Sequence, residues 1–226
     1  MPRTITPQQL SAALALRDLS DPAEGRHAMQ LVADAITDAL AARWRCPVVV
    51  YRAGPVVTVA ENYELLGYPP DAATRDARYT RYVDDTHLLR SHTSAMVPAA
   101  LRRLAGREED VLVACPGLVY RRDVVDRLHV GEPHQLDLWR VRRGKPLTAG
   151  DLDEMVDLVV SAVVPGSPHR TLDASHPYTT AGREVEVDVD GEWVELLECG
   201  LAHPDVLAAA GLRGHHGLAM GIGMDR

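Results

Sequence analysis

The stretch CPGLVYRRDVVDRLHVGEPHQLDLWRV, residues 115–141, reads as two strands joined by a polar loop over residues 123–132. Apolar residues dominate both ends, and charge and turn formers fill the middle, the pattern of an antiparallel hairpin. Arg121 lies on the first strand and Asp123 follows two residues later. His129 sits in the turn, and His134, Gln135 and Asp137 return on the partner strand. The two-residue period of a strand puts Arg121 and Asp123 on one face, and Gln135 and Asp137 on one face. A cation, two carboxylates and an amide suit a site for charged small molecules. They equally suit a solvated sheet face laced by cross-strand ion pairs.

Outward from the hairpin, helices alternate with strand pairs. Thr6 can cap a first helix that has Pro7 at its first position and runs to about Leu19. Asp21-Pro22 opens a second in the same way. Over Ala23 to Trp44 the residues Met29, Val32, Ile36 and Leu40 recur at three- and four-residue spacing, predicting a long amphipathic helix. PVVVYRAGPVVTVA is strand-like on either side of Gly54-Pro55, and Asn62 to Asp85 reads as an irregular excursion. A short helix over Pro98 to Ala105 follows the polar cluster around His92 and Ser94. Asp151 to Val164 is a helix whose Leu152, Met155, Val156, Val159 and Val160 share one face. REVEVDV and EWVELLECG flank Asp190-Gly191, a tight hairpin turn. His203 to Ala210 forms another short helix, and HHGLAMGIGMDR closes the sequence as a strand with paired glycines. The result is an α+β fold, a mostly antiparallel sheet flanked by helices.

Composition narrows the function classes. With 32 acidic against 24 basic residues the net charge is -8, the wrong sign for a protein living by non-specific nucleic-acid binding. No apolar run approaches the roughly 18 residues of a membrane span and no signal pattern opens the chain, so a cytoplasmic protein is expected. Cys46, Cys115 and Cys199 are odd in number and widely spaced, which argues against a disulfide framework or a zinc knuckle. Gly221-Ile-Gly-Met-Asp-Arg226 is no dinucleotide fingerprint, because no βαβ unit follows. On its own the glycine pair reads as a site of close backbone approach.

Four segments together are more specific. TVAENYELLGYPPDAATRDARYTRYVDDTHLLRSHTS, CPGLVYRRDVVDRLHVGEPHQLDL, GEWVELLECGLAHPDVL and GLAMGIGMDR occur in that order. The order and content resemble the catalytic domain of the phenylalanyl-tRNA synthetase alpha subunit, a class II aminoacyl-tRNA synthetase. The resemblance covers about Pro55 to Arg226, and the long helix with Pro55 takes the place of the first motif. It implies a class II core over residues 23–226, shortened at its third motif, behind a helical extension over residues 1–22.

The resemblance also implies the chemistry. ATP with Mg2+ would activate an amino acid as its adenylate. Arg121 would hold the α-phosphate, Arg226 the γ-phosphate end, and His129 the phosphates, two guanidinium clamps on developing charge. Asp123 would brace the motif or the adenine. His92, Ser94, Gln135 and Asp137 match the positions that hold the α-amino group, and His176 and Tyr178 those that wall the side-chain pocket. Glu184 and Glu195 match family acids for magnesium or strand bracing. A homodimer is expected through the first motif.

Several positions depart from the family. Pro133 replaces the phenylalanine that stacks on adenine, and Asp137 is one methylene shorter than the family's Glu. His176-Pro177-Tyr178 replaces Phe-Pro-Phe, Thr180-Ala181-Gly182 replaces Glu-Pro-Ser, and Glu198 stands at a glycine of a Gly-Cys-Gly run. A pocket with polar rings favours a polar or hydroxylated amino acid over phenylalanine. The acidic charge and the absence of the tRNA-gripping coiled coil make tRNA aminoacylation by this chain alone unexpected. They point to a carrier protein or small-molecule acceptor. A non-catalytic dimeric binding or regulatory protein, and tRNA aminoacylation with a partner subunit, are the alternatives.

Overall fold

The computed structural model describes residues 4–104, 110–121 and 130–225. Its elements in chain order begin with helices α1 (Pro7–Leu14) and α2 (Ala28–Trp44), followed by strands β1 (Val48–Val50) and β2 (Val56–Thr58). Next come helix α3 (Val59–Asn62), strands β3 (Arg81–Tyr82) and β4 (His87–Leu89), helix α4 (Val97–Leu104), and strands β5 (Asp110–Leu118) and β6 (His134–Arg143). The rest comprises helix α5 (Ala149–Val163), strands β7 (His169–Asp173), β8 (Thr179–Val189) and β9 (Glu192–Ala202), helix α6 (Pro204–Ala209) and strand β10 (His215–Gly223). Seven strands form one sheet in the order β1-β5-β6-β10-β9-β8-β7, and β2-β4-β3 form a small second sheet. Every pairing is antiparallel except β1 with β5. The expected α+β architecture is therefore observed.

Local sequence explains the elements. Thr6 and Gln9 form a capping box at α1, and Thr148 and Asp151 form one at α5. The five apolar residues expected on one face of α5 are all buried. Helix α2 starts five residues later than its sequence suggests. Pro22–Glu24 makes a separate 3-10 turn ended by Gly25 at φ 101°, and extended His27 then caps α2 by accepting from the Met29 N–H. Its apolar stripe is used unevenly: Ile36 and Leu40 are buried, whereas Val32 is exposed. Asp190 and Gly191 have φ of 53° and 87° and join Val189 to Glu192 as the expected two-residue hairpin. Strand β7 and the parallel β1–β5 pairing are additions to the elements read from sequence.

Helices cover both faces of the main sheet. On one, α2 and α5 enclose a core that includes Ile36, Leu40, Met155, Val159, Leu136, Leu138, Leu218 and Met220. On the other, α4 and α6 pack over Val111, Val113, Trp139 and Ala219. In the next row of the sheet Cys115, Asp137, Gly221 and Glu198 oppose one another across β5, β6, β10 and β9. Cys115 is buried in the same core, and Asp137, Gly221 and Glu198 form the floor of the site. Among the described residues no helix is long and apolar enough to cross a membrane.

Candidate functional site

The small sheet positions the first wall. Asn62, at the end of α3, donates to Ser91 Oγ at 2.9 Å and accepts from the Ser91 N–H at 3.1 Å, which fixes the segment entering His92. Arg90, 4% exposed, crosses to the main sheet and donates to the carbonyls of Leu118 and Ala53 at 2.8 Å each. A Cβ on Gly117 would lie 2.5 Å from the Arg90 guanidinium, so any larger residue there would push that side chain out of its place. These contacts bring residues 92–94 over Asp137 in that row of the sheet.

Asp137 is the centre of the arrangement. Its Oδ2 accepts from Thr93 Oγ1 at 2.7 Å and from Ser94 Oγ at 3.1 Å, and Gln135 Oε1 accepts from the Thr93 N–H at 3.2 Å. Burial raises its pKa to about 6, with Glu198 adding to the rise and the hydrogen bonds from Thr93 and Ser94 opposing it. The three hydroxyl and indole donors nearby are all neutral, so no bonded partner supplies a full positive charge. Such a carboxylate is suited to a cationic ligand.

A cavity of about 260 Å³ opens onto this group, lined also by His92, Ser94, Arg121, Gln135, Tyr178 and Glu195. The expected amino-acid residues His92, Ser94, Gln135, Asp137 and Tyr178 are thus brought together with the phosphate-clamp position Arg121. The Arg121 Nε donates to the Ser91 carbonyl at 2.9 Å, which anchors the guanidinium at the cavity wall. His92 stacks on Tyr68 with ring centroids 5.6 Å apart. Both of its ring nitrogens are buried, and neither has a hydrogen-bond partner among the described residues. Burial, and secondarily Arg121, lower the His92 pKa to about 3, so the ring is neutral. A neutral imidazole can both donate and accept a hydrogen bond, so His92 adds a polar group to the cavity wall.

His176 does not line the cavity directly. It stacks on Tyr178 at 5.8 Å, and its Nε2 stands 3.3 Å from Glu198 Oε2 without hydrogen-bond geometry. Pro133 lies in the β5–β6 connection, where its carbonyl accepts from the Val119 N–H at 2.8 Å, and it is not a cavity residue. Asp123, His129 and Arg226 fall outside the described residues. Asp225, next to Arg226, accepts from the His134 N–H, and Met224 N–H donates to the His134 carbonyl at 2.9 Å. The third motif is thereby tied to the second.

Glu195 and Glu198 both face the cavity although their spacing has the wrong parity for one strand face. The register of β8 with β9 shifts between Val185 and Glu186, inserting Leu196 as an extra residue on β9. This bulge turns Glu195 towards Glu198. Glu184 opposes Glu198 on β8 but lies outside the cavity lining. Among the described residues no three acidic, histidine or cysteine side chains form a ready-made metal cage. Magnesium is commonly held by one or two carboxylates with substrate phosphates, and the hard oxygens of Glu195, with Glu184 nearby on the neighbouring strand, suit that mode.

Sequence reasoning missed Tyr68, Thr93 and the floor glycines. Tyr68 lay in a stretch marked by its Tyr-Pro-Pro turn. Gly221 and Gly223 read as packing glycines, whereas they pair with Asp137 and Gln135 and leave the space above them open. Glu198 was visible as a departure from the family but carried no role.

Comparison with known proteins accords with this geometry. Residues 15–226 match the family described as tRNA synthetases class II core domain (F). The phenylalanine–tRNA ligase alpha subunit of Nostoc punctiforme is 35% identical over 167 residues, covering 73% of this chain and 49% of that protein. The mitochondrial phenylalanine–tRNA ligase of Dictyostelium discoideum is 30% identical over 201 residues, covering 76% and 43%. This chain spans about half the length of such curated relatives. In fold it is similar to the pyrrolysyl-tRNA synthetase of Desulfitobacterium hafniense, with a TM-score of 0.64 at 17% identity over 96% of this chain and 71% of that one. With a sheet of this topology and a match across nearly all its length, the chain belongs to the class II core-domain family of tRNA synthetases.

Proposed function

We propose that the protein activates an amino acid with ATP. The substrate's carboxylate oxygen attacks the α-phosphorus, the bond from that phosphorus to the bridging oxygen breaks, and pyrophosphate leaves. The observation that carries the reading is the buried Asp137 with Thr93, Ser94 and Gln135, set in one cavity with Arg121. Asp137 faces the α-ammonium, and the neutral His92 offers a hydrogen bond to the substrate. Arg121 meets the phosphate whose charge grows in the transition state. Magnesium bound with ATP would screen the charge of its phosphates, and Glu195 and Glu184 would supply carboxylates to hold the ion. Arg226 and His129, outside the described residues, would complete the phosphate clamp only on the strength of the sequence resemblance.

The matched relatives are named as tRNA ligases and most as alpha subunits, which favours tRNA as the acceptor with a partner subunit bound. Transfer to a carrier protein or small molecule is the second reading, favoured by the net charge of -8. Pyrophosphate exchange into ATP that depends on an added amino acid tests activation itself. Exchange should appear with a polar amino acid and fall at least about tenfold in Arg121→Ala, since a charge-assisted bond is worth roughly 1.5–3 kcal/mol. No exchange across the proteinogenic set, with or without a partner subunit, would favour a non-catalytic binding role.

A further inference from the structure

His134 stands one residue before Gln135 on β6, so strand alternation turns its side chain away from the cavity that Gln135 lines. We infer that His134 is a positioning residue for the nucleotide half of the site. It holds Asp225, the residue before Arg226, and a strap of residues 18–20 sets the ring that does so. This rests on the reading of Arg226, outside the described residues, as part of the phosphate clamp, and adds the groups that hold the chain leading to it.

The two ring nitrogens have different partners. Nε2 accepts from the Leu19 N–H at 3.0 Å. A ring nitrogen that accepts carries no hydrogen, so the neutral ring has its proton on Nδ1. Nδ1 stands 3.3 Å from Asp225 Oδ1 and donates to it. The other oxygen of the same carboxylate accepts from the His134 N–H, and the Met224 N–H donates to the His134 carbonyl at 2.9 Å. One residue of the second motif thus grips both residues that precede Arg226. These two residues continue β10 beyond Gly223, which pairs with Gln135 at the cavity floor.

The strap is anchored on several elements. Asp18 Oδ2 accepts from the Leu118 N–H at 3.1 Å, at the end of β5, and Asp18 Oδ1 accepts from the Ser20 hydroxyl at 2.6 Å. Gln30 of α2 donates to the Leu19 carbonyl at 3.1 Å, and Arg52 donates to the Ser20 hydroxyl at 3.1 Å. Leu118 opposes His134 in the β5–β6 register, so residues 18–20 bridge the ends of the two strands. Both His134 and Ser20 are buried. Buried polar groups bonded in this way keep one geometry, because each alternative leaves a donor or acceptor unpaired. A backbone N–H can only donate, so Leu19 fixes which ring nitrogen carries the hydrogen and leaves Nδ1 to serve Asp225. Charge developing on a phosphate is stabilised best by donors fixed beforehand, and a held third motif serves that end.

Calorimetry on the full chain with magnesium and a non-hydrolysable ATP analogue tests this through two half-replacements of the ring. His134→Asn places an amide donor where Nδ1 stands and gives up the Leu19 contact. His134→Gln places an acceptor where Nε2 stands and gives up the donor to Asp225. Affinity for the analogue should fall about fivefold or more in His134→Gln and stay within about twofold of wild type in His134→Asn. In an Arg226→Ala background the His134→Gln loss should shrink below about twofold, because the residue it acts through is gone. Asp225→Ala should show the same loss and the same dependence on Arg226, which decides the matter even if the His134 variants fail to fold. Wild-type affinity in His134→Gln or in Asp225→Ala, equal losses in the two His134 variants, or a loss undiminished in Arg226→Ala overturns the inference while leaving ATP binding standing. No binding of the analogue by the wild-type chain overturns both.

Discussion

Asp137 shows how one residue can set both recognition and pH response. Its pKa of about 6 lies above the ordinary carboxylate value because burial disfavours the charged form. The folded protein thus holds this proton more tightly than the unfolded chain does. Its contribution to stability is fully present below about pH 4 and lost as pH rises through about 6. Ligand binding has the opposite slope, because an α-ammonium needs the ionised form. Affinity for every amino acid should rise from pH 5 to pH 7 and then level off, with a proton released on binding below about pH 6. Calorimetry in buffers of different ionisation enthalpy would report that proton. His92 is neutral across the window, and adds no step of its own. Asp137→Asn should weaken all amino acids alike, by about tenfold or more, and remove the slope. A slope that survives in Asp137→Asn would place the titrating group elsewhere. Asp137, Gln135 and Ser94 were legible in the sequence as a motif. Thr93, the shortest hydrogen-bond donor to Asp137, was not, since a threonine beside a serine carries no distinguishing signal until the chain folds.

Glycines in β9 and β10 separate structural from functional roles within neighbouring strands. A Cβ on Gly200 would stand 2.6 Å from Thr179 Cβ, and one on Gly217 would stand 2.8 Å from Ala202 Cβ. A Cβ on Gly221 would meet nothing closer than Asp137 Oδ2 at 3.8 Å. Gly200→Ala should therefore destabilise by about 1–3 kcal/mol through overpacking. In a domain of this size that lowers the melting temperature by several degrees. Gly221→Val should leave the melting temperature nearly unchanged yet abolish amino-acid binding, because its branches enter the cavity. Equal losses of stability in both variants would contradict the separation. Element identity was largely readable where burial is strong, on the apolar face of α5 and along β5 and β6, whose apolar runs are buried on both faces. Strand β7 was not, because Arg170, Thr171, Leu172 and Asp173 are all exposed and give no inside-outside alternation. Its stability comes from pairing with β8 and from Arg170, whose guanidinium lies 4.3 Å from the Trp193 ring centroid. The bulge at Leu196 was equally invisible, since a change of parity depends on the partner strand.

At the scale of the whole molecule, the apolar surface left by α2, β1 and β2 calls for a partner. Leu31 is 71% exposed and Val50 58%, with Val32 and Val56 also exposed, all within residues 31–56. Strands β1 and β2 are also edge strands of their sheets, and unpaired edges are surfaces that proteins cover or pair. Isolated exposed aliphatic residues are ordinary on a monomer, but here they fall on three consecutive elements, two of them sheet edges. A second copy related by a two-fold axis would place the same patch against itself and close the assembly. Sedimentation at micromolar concentration should then give about twice 24.7 kDa. Leu31→Arg should shift the population to monomer, because a charge opposed to its own symmetry mate is both desolvated and repelled. Amino-acid binding should persist in that monomer, since none of these four residues lines the cavity. A wild-type monomer throughout the range would exclude self-association, and would leave a different subunit as the partner for this face.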